Sequence, residues 1–140
     1  MATYNKFQQF VKDLIDGVHD FDAHTFKVML TNTAPVATNT IKSNLTEISA
    51  GSGYTAGGTA TTITTSVATG VAKVTGTDVT FTAAGGSIGP FRYAVLYNDT
   101  PSSPLDPLIA WWDYGSSITL ADTEQLVVDF DATNGIFTLT

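Results

Sequence analysis

The sequence contains no cysteine, so disulfide staples, thiolate metal sites and cysteine nucleophiles are all excluded. Positive charge is scarce as well. Only Lys6, Lys12, Lys27, Lys42, Lys73 and Arg92 carry it, scattered along 140 residues. A surface that neutralises phosphates needs clustered Lys and Arg, so nucleic acid is not expected as a partner. The formal net charge is -7, and after position 70 eight acidic residues face only Lys73 and Arg92, which favours solubility of that half. Charged residues make up 14% of the chain, against ~25% in an average domain. No apolar run approaches the roughly 20 residues of a membrane span. Met1 to Phe10 has no basic head followed by an apolar core, so no signal peptide is expected. The chain is expected to act where it is made or to be carried out within an assembly.

What is abundant is threonine, roughly one residue in six, beside many Val, Ile and aromatic residues, the types that fit a pleated, half-buried surface. The length suits one domain, 1–140, large enough to bury a core without staples. Phe7, Phe10, Val11, Leu14, Ile15 and Val18 recur at helical spacing, which predicts one amphipathic helix over about 3–18 with Thr3 as N-cap and Gly17 near its end. A β body over about 25–140 follows. Strands are predicted at about Thr25 to Thr31, Thr59 to Val67, Val71 to Thr75, Val79 to Thr82, Phe91 to Tyr97, Leu108 to Tyr114, Ile118 to Leu120, Gln125 to Asp131 and Ile136 to Thr140. Phe91 to Tyr97, apolar on both faces apart from Arg92, reads as a central strand. Asn134-Gly135 carries a hairpin signal between the last two strands. The long segment Asn32 to Gly58, rich in Gly, Asn and Pro, is a connection around a short piece at Ile41, Leu45 and Ile48. The pattern predicts a mainly β fold: an antiparallel β-sandwich or small barrel with one N-terminal amphipathic α-helix.

Few groups offer chemistry. His19 and His24 bracket Asp20 and Asp22, but the spacing fits no metal template, and a solvated turn is the expected reading. Gly51 to Gly58 lacks the Lys and the following helix of a phosphate loop. Asp129 and Asp131 alternate as the outer face of a strand would. Trp111 and Trp112 are neighbours on one strand and must point to opposite faces, one into the core. Nothing marks a nucleophile, so no metal, cofactor or enzymatic activity is expected.

The run Ser87-Ile88-Gly89-Pro90-Phe91-Arg92-Tyr93-Ala94-Val95-Leu96-Tyr97-Asn98-Asp99-Thr100 resembles a segment of small tailed-bacteriophage structural proteins. Pro107-Leu108-Ile109-Ala110-Trp111-Trp112-Asp113-Tyr114-Gly115 does so too. Tyr4-Asn5-Lys6-Phe7 through Gly17-Val18-His19, and Leu30-Thr31-Asn32-Thr33-Ala34-Pro35, fit the same group. The resemblance covers most of the chain and implies a virion component encoded among head and tail genes, with no catalytic residues. The leading expectation is a capsid decoration, or cement, protein located in the virion. Its partners would be the major capsid protein or other virion proteins, and it would itself be a homo-oligomer, with a trimer favoured. The alternatives are a neck, tail or fibre-base component, and a glycan- or receptor-binding module using exposed aromatics. Phe7, Phe10, Val11, Leu14, Tyr54 and Trp112 are the interface candidates, with the N-terminal helix and the Asn32 to Gly58 segment as the contact elements.

Overall fold

The structure is a computed structural model and describes residues 2–140. Among the described residues it is mainly β, with antiparallel sheets, a single α-helix and no closure into a barrel. The helix α1 is confined to Gln8–Ile15 and the ten strands are β1 (Asn5–Lys6), β2 (Phe26–Thr31), β3 (Thr59–Thr61), β4 (Ile63–Ala68), β5 (Val71–Gly76), β6 (Val79–Thr82), β7 (Ile88–Asn98), β8 (Leu108–Leu120), β9 (Gln125–Val128) and β10 (Phe137–Leu139). A five-stranded sheet runs in the order β1-β8-β7-β2-β3, with smaller sheets β10-β5-β4 and β6-β9.

The period of two along β2 and β7 places core on both faces of the large sheet. Phe26, Val28, Leu30 and Leu96 turn toward the main core, which Val79 and Phe81 of β6, Phe130, Ile136 and Phe10 of the helix complete. Met29, Val95 and Tyr97 turn the other way, into a second cluster closed by Phe7, Leu45, Leu108 and Trp111. The predicted central strand is the middle one of the five. A bulge sets Leu96 opposite Ala110 and Tyr97 opposite Leu108. Ile109 and Ala110 thereby both join the main core.

The helix is shorter than its apolar spacing predicts because its front end is used elsewhere. Asn5 and Lys6 pair with Trp111 and Ala110 of β8, and the Phe7 amide donates to the Ile109 carbonyl at 3.1 Å. Phe7, in extended conformation, is the residue before the first turn, so Thr3 caps nothing. The C-terminus closes as a Schellman motif. Gly17 has φ +76°, its amide donates to the Leu14 carbonyl, and the Val18 amide donates to the Asp13 carbonyl. The buried side runs through Phe10 and Asp13, leaving Val11 41% and Ile15 85% exposed.

Three strand expectations are corrected. Thr59 to Val67 is not one strand but two, because the chain changes sheets at Thr62: β3 pairs with β2, and β4 with β5. Thr77 fixes the crossing, its hydroxyl accepting from the Thr62 amide and its own amide donating to the Thr62 carbonyl. Ile118 to Leu120 is the end of β8 rather than a separate strand. Asn134-Gly135 makes no hairpin: β9 pairs with β6 and β10 with β5. Asp131 overrides that signal. Its carboxylate accepts from the amides of Thr133 and Asn134 and from the Asn134 side chain, and its carbonyl accepts from Gly135. The chain is thereby wound into a local turn that delivers Ile136 to Val74 of β5.

Candidate functional site: an aromatic cleft, two pinned loops and an uncharged strand edge

Trp111 and Trp112 take opposite faces of β8, as their adjacency requires. Trp111 lies 4.5 Å from the Phe7 ring, on the side of the second cluster. Trp112 packs against the main core, edge-on to Phe130 at 5.4 Å and to Tyr4 at 5.9 Å. Beside it opens a cleft of about 600 Å³ between β7, β8 and the β9–β10 connection, bordered by Tyr4, Tyr93, Trp112, Tyr114 and Phe130. That size suits a small ligand or a few side chains of a partner. Its lip carries Arg92, whose guanidinium grips Asp113 with two bonds of 2.8 and 3.0 Å and lies 5.4 Å over the Tyr93 ring. Arg92 and the Gly115 amide hold the Asp113 carboxyl below the usual carboxylate range. Burial pushes the Tyr4 phenol up to about 12, so it remains a hydrogen-bond donor. Asp131, also on the cleft, has its oxygens taken by the turn, and the Asn134 amide and side chain hold its carboxyl low. The wall offers stacking surface and a self-neutralised ion pair.

The predicted histidine turn is more buried than its sequence suggests. His19 and Asn98 are both buried, and the Asn98 carbonyl oxygen Oδ1 accepts from the Thr100 amide at 3.1 Å. Nδ2 therefore faces the imidazoles and donates to Nδ1 of His19 at 3.1 Å and of His24 at 2.9 Å. Desolvation lowers the His19 pKa to about 4, against a smaller opposing pull from the Asp13 carboxylate and a further lowering by His24. A neutral His19 then carries its proton on Nε2, which is buried without a partner, as is Asp13 Oδ2. Among the described residues no three His, Asp or Glu side chains gather around a common point.

The Asn32 to Gly58 connection is pinned to the large sheet by Glu47, a residue the sequence pattern did not single out. Its Oε1 accepts from the Tyr54 hydroxyl at 2.7 Å and the Gly57 amide at 2.6 Å, and its Oε2 accepts from Lys42 Nζ at 2.8 Å. Tyr54 in turn accepts from the Leu30 amide at 3.0 Å, and the Tyr97 hydroxyl donates to the Gly57 carbonyl at 2.6 Å. The glycine-rich stretch is therefore a tight turn. At Gly58, with φ +80°, a Cβ would sit 1.9 Å from the Val28 carbonyl oxygen.

Of the interface candidates, Phe7, Phe10 and Tyr54 are buried in the chain's own core, so they shape the body rather than meet a partner. Leu14 and Trp112 are half-buried. Val11 faces solvent beside Ile15. The surface the sequence reading overlooked is the β4–β5 hairpin. Thr64 through Val71 are all exposed, and Val67 is 73% exposed. No charged residue occurs between Glu47 and Lys73, the longest such run in the chain. The clue was present in the charge pattern, but threonine there reads equally as a solvated sheet.

Comparison with protein-family models, with curated proteins and with solved structures finds no match.

Proposed function

We propose that this chain is a structural component of a bacteriophage particle, in the first place a capsid decoration protein that joins neighbouring shell subunits by shape. The observation that carries the reading is the exposed, charge-free strand β4 and its turn, residues 63–70, on an otherwise acidic body. A contact made through it desolvates no ions and gains roughly 25 cal/mol per Å² of apolar area removed from water, before ordering losses. Val11 and Ile15 add a second apolar patch on the helix. Many weak copies on one shell bind with avidity. The body acts by binding, with the major capsid protein or another virion protein as partner.

Mass spectrometry and residue-resolution imaging of purified particles test this. The expected result is hundreds of copies on the head, with the hairpin in contact. Dozens of copies or fewer, confined to neck, tail or fibre base, would shift the reading to that location, and absence from purified particles would end it.

The cleft favours a second reading, binding of a glycan or receptor segment. Tyr114, 58% exposed at its edge, and Trp112 present aromatic faces of the kind on which sugar rings stack. A glycan array with the wild type and Tyr114→Ala decides it: no Tyr114-dependent binding removes the reading.

A further inference from the structure

We infer that β4 is a docking edge for a second copy of this chain, paired antiparallel so that two β10-β5-β4 sheets join into one. β4 ends its sheet, and an unpaired edge is a template for another strand unless length, charge or a bulge blunts it. The other edges are blunted. β1, β3 and β10 have two or three residues, while β6 and β9 have four and are flanked by Asp78, Glu124 and Asp129. β4 runs six residues in unbroken register with β5 and carries no charge, proline or glycine.

The register of the edge follows from its turn. Thr69 and Gly70 have φ of +52° and +77°, the two-residue hairpin turn, with Ala68 opposite Val71. Counting back from that hydrogen-bonded pair, Ala68, Ser66 and Thr64 turn their backbone groups toward β5, and Val67, Thr65 and Ile63 turn theirs outward. The outward positions are symmetric about Thr65. Two copies related by a two-fold axis therefore set Thr65 opposite Thr65 and Ile63 opposite Val67, forming roughly six backbone hydrogen bonds. Val67, the most exposed valine of the chain, gains the apolar side chain of Ile63 from the second copy. The two-fold register, which a second copy matches residue for residue, selects the occupant. Two bodies of net charge -7 repel one another over most of their surfaces, and this uncharged strand is where they meet without opposing carboxylates. The contact is smaller than a standard interface, so the dimer is weak and forms in the high-micromolar range.

The symmetry gives a specific test. Thr65 is exposed, so Thr65→Lys and Thr65→Glu fold as the wild type does, which circular dichroism checks. In the two-fold register each places like charges directly opposite. Sedimentation equilibrium is expected to show concentration-dependent dimers of the wild type, a dissociation constant about tenfold or more higher for either variant alone, and recovery of dimers when the two are mixed. Amide exchange should slow at Thr65 and Val67 with rising concentration, with Thr64 and Ser66 protected throughout. A wild type that stays monomeric to millimolar concentration, variants that associate unchanged, or a mixture that fails to recover would each overturn the inference. Protection of these amides only on adding a different virion protein would assign the edge to that protein and overturn it equally.

Discussion

Glu47→Ala tests the node that holds the long connection on the sheet. The carboxylate is largely shielded and receives three donors: the Tyr54 hydroxyl, the Gly57 amide and Lys42. The lysine pair, still open to water on one side, contributes about 0–1 kcal/mol. The Tyr54 hydroxyl and the Gly57 amide lose their acceptor in a site with little water, at about 1–2 kcal/mol each. The sum is about 3 kcal/mol, or a fall in Tm of roughly 10 °C for a chain of this size. Glu47→Gln keeps an oxygen for Tyr54 and Gly57 and gives up only the ionic contact, so it should lose about 1 kcal/mol. Urea unfolding followed by the fluorescence of Trp111 and Trp112 measures both variants. Amide exchange at Gly57 and Leu30 shows whether the connection opens first. A Glu47→Ala protein within 0.5 kcal/mol of wild type, on the scale of an ordinary surface change, would mean that the connection is held by its apolar contacts alone and that the Glu47 network adds nothing.

Acid should act through His19. Its folded pKa of about 4 lies below its ordinary 6.5, so the unfolded chain takes up the proton first. The stability from keeping this ring neutral, roughly 2 kcal/mol, is full above pH 6.5 and is lost as pH falls toward 4. Asp13 and His24 face the same ring; His19→Gln leaves both in place and should flatten the pH dependence by that amount in urea titrations between pH 7 and 4.5, and equal slopes would refute the assignment. Gly58→Ala should destabilise by more than about 3 kcal/mol or prevent folding, since its Cβ would overlap the β2 backbone. Gly70→Ala, with open space around it, should lose only about 1 kcal/mol. Similar losses at the two sites would show that the connection does not cross β2 as closely as described.

Period-two alternation made the body legible from sequence: β2, β5, β6 and β7 lie within a few residues of their predicted bounds because their apolar residues have one geometric solution. The failures share a cause. Helix ends, the Thr62 crossing and the Asp131 turn are decided by single polar side chains or by a competing strand partner, none of which leaves a periodic trace. Phe7 illustrates this. Its spacing from Phe10 and Leu14 fits a helical stripe, yet the Ile109 carbonyl takes its amide and its ring serves the opposite face of the sheet. The candidate surfaces were harder still. Trp112 could be placed on one of two faces but not beside Tyr4 and Phe130, which lie far away in sequence.

Burial also reorders what counts as a contact residue. Large aromatics such as Phe10 and Tyr54 attract attention as interface anchors, yet a chain of this size needs them inside: Phe10 meets His19, Phe21 and Phe137, and Tyr54 meets Phe81. At the free edge of the β10-β5-β4 sheet, by contrast, the side chains are small and uncharged, the Thr, Ser, Val and Ala of β4. Such residues contribute little side-chain energy, so the proposed recognition there would depend on backbone hydrogen bonds and on the absence of charge. On the proposed pairing, the long uncharged edge of an acidic body would be its joining point, and that edge could change sequence among Thr, Val and Ser without losing the capacity. Placing one charge on it, as Thr65→Lys does, should do more to association than truncating any aromatic of the core does, even though it leaves the fold untouched.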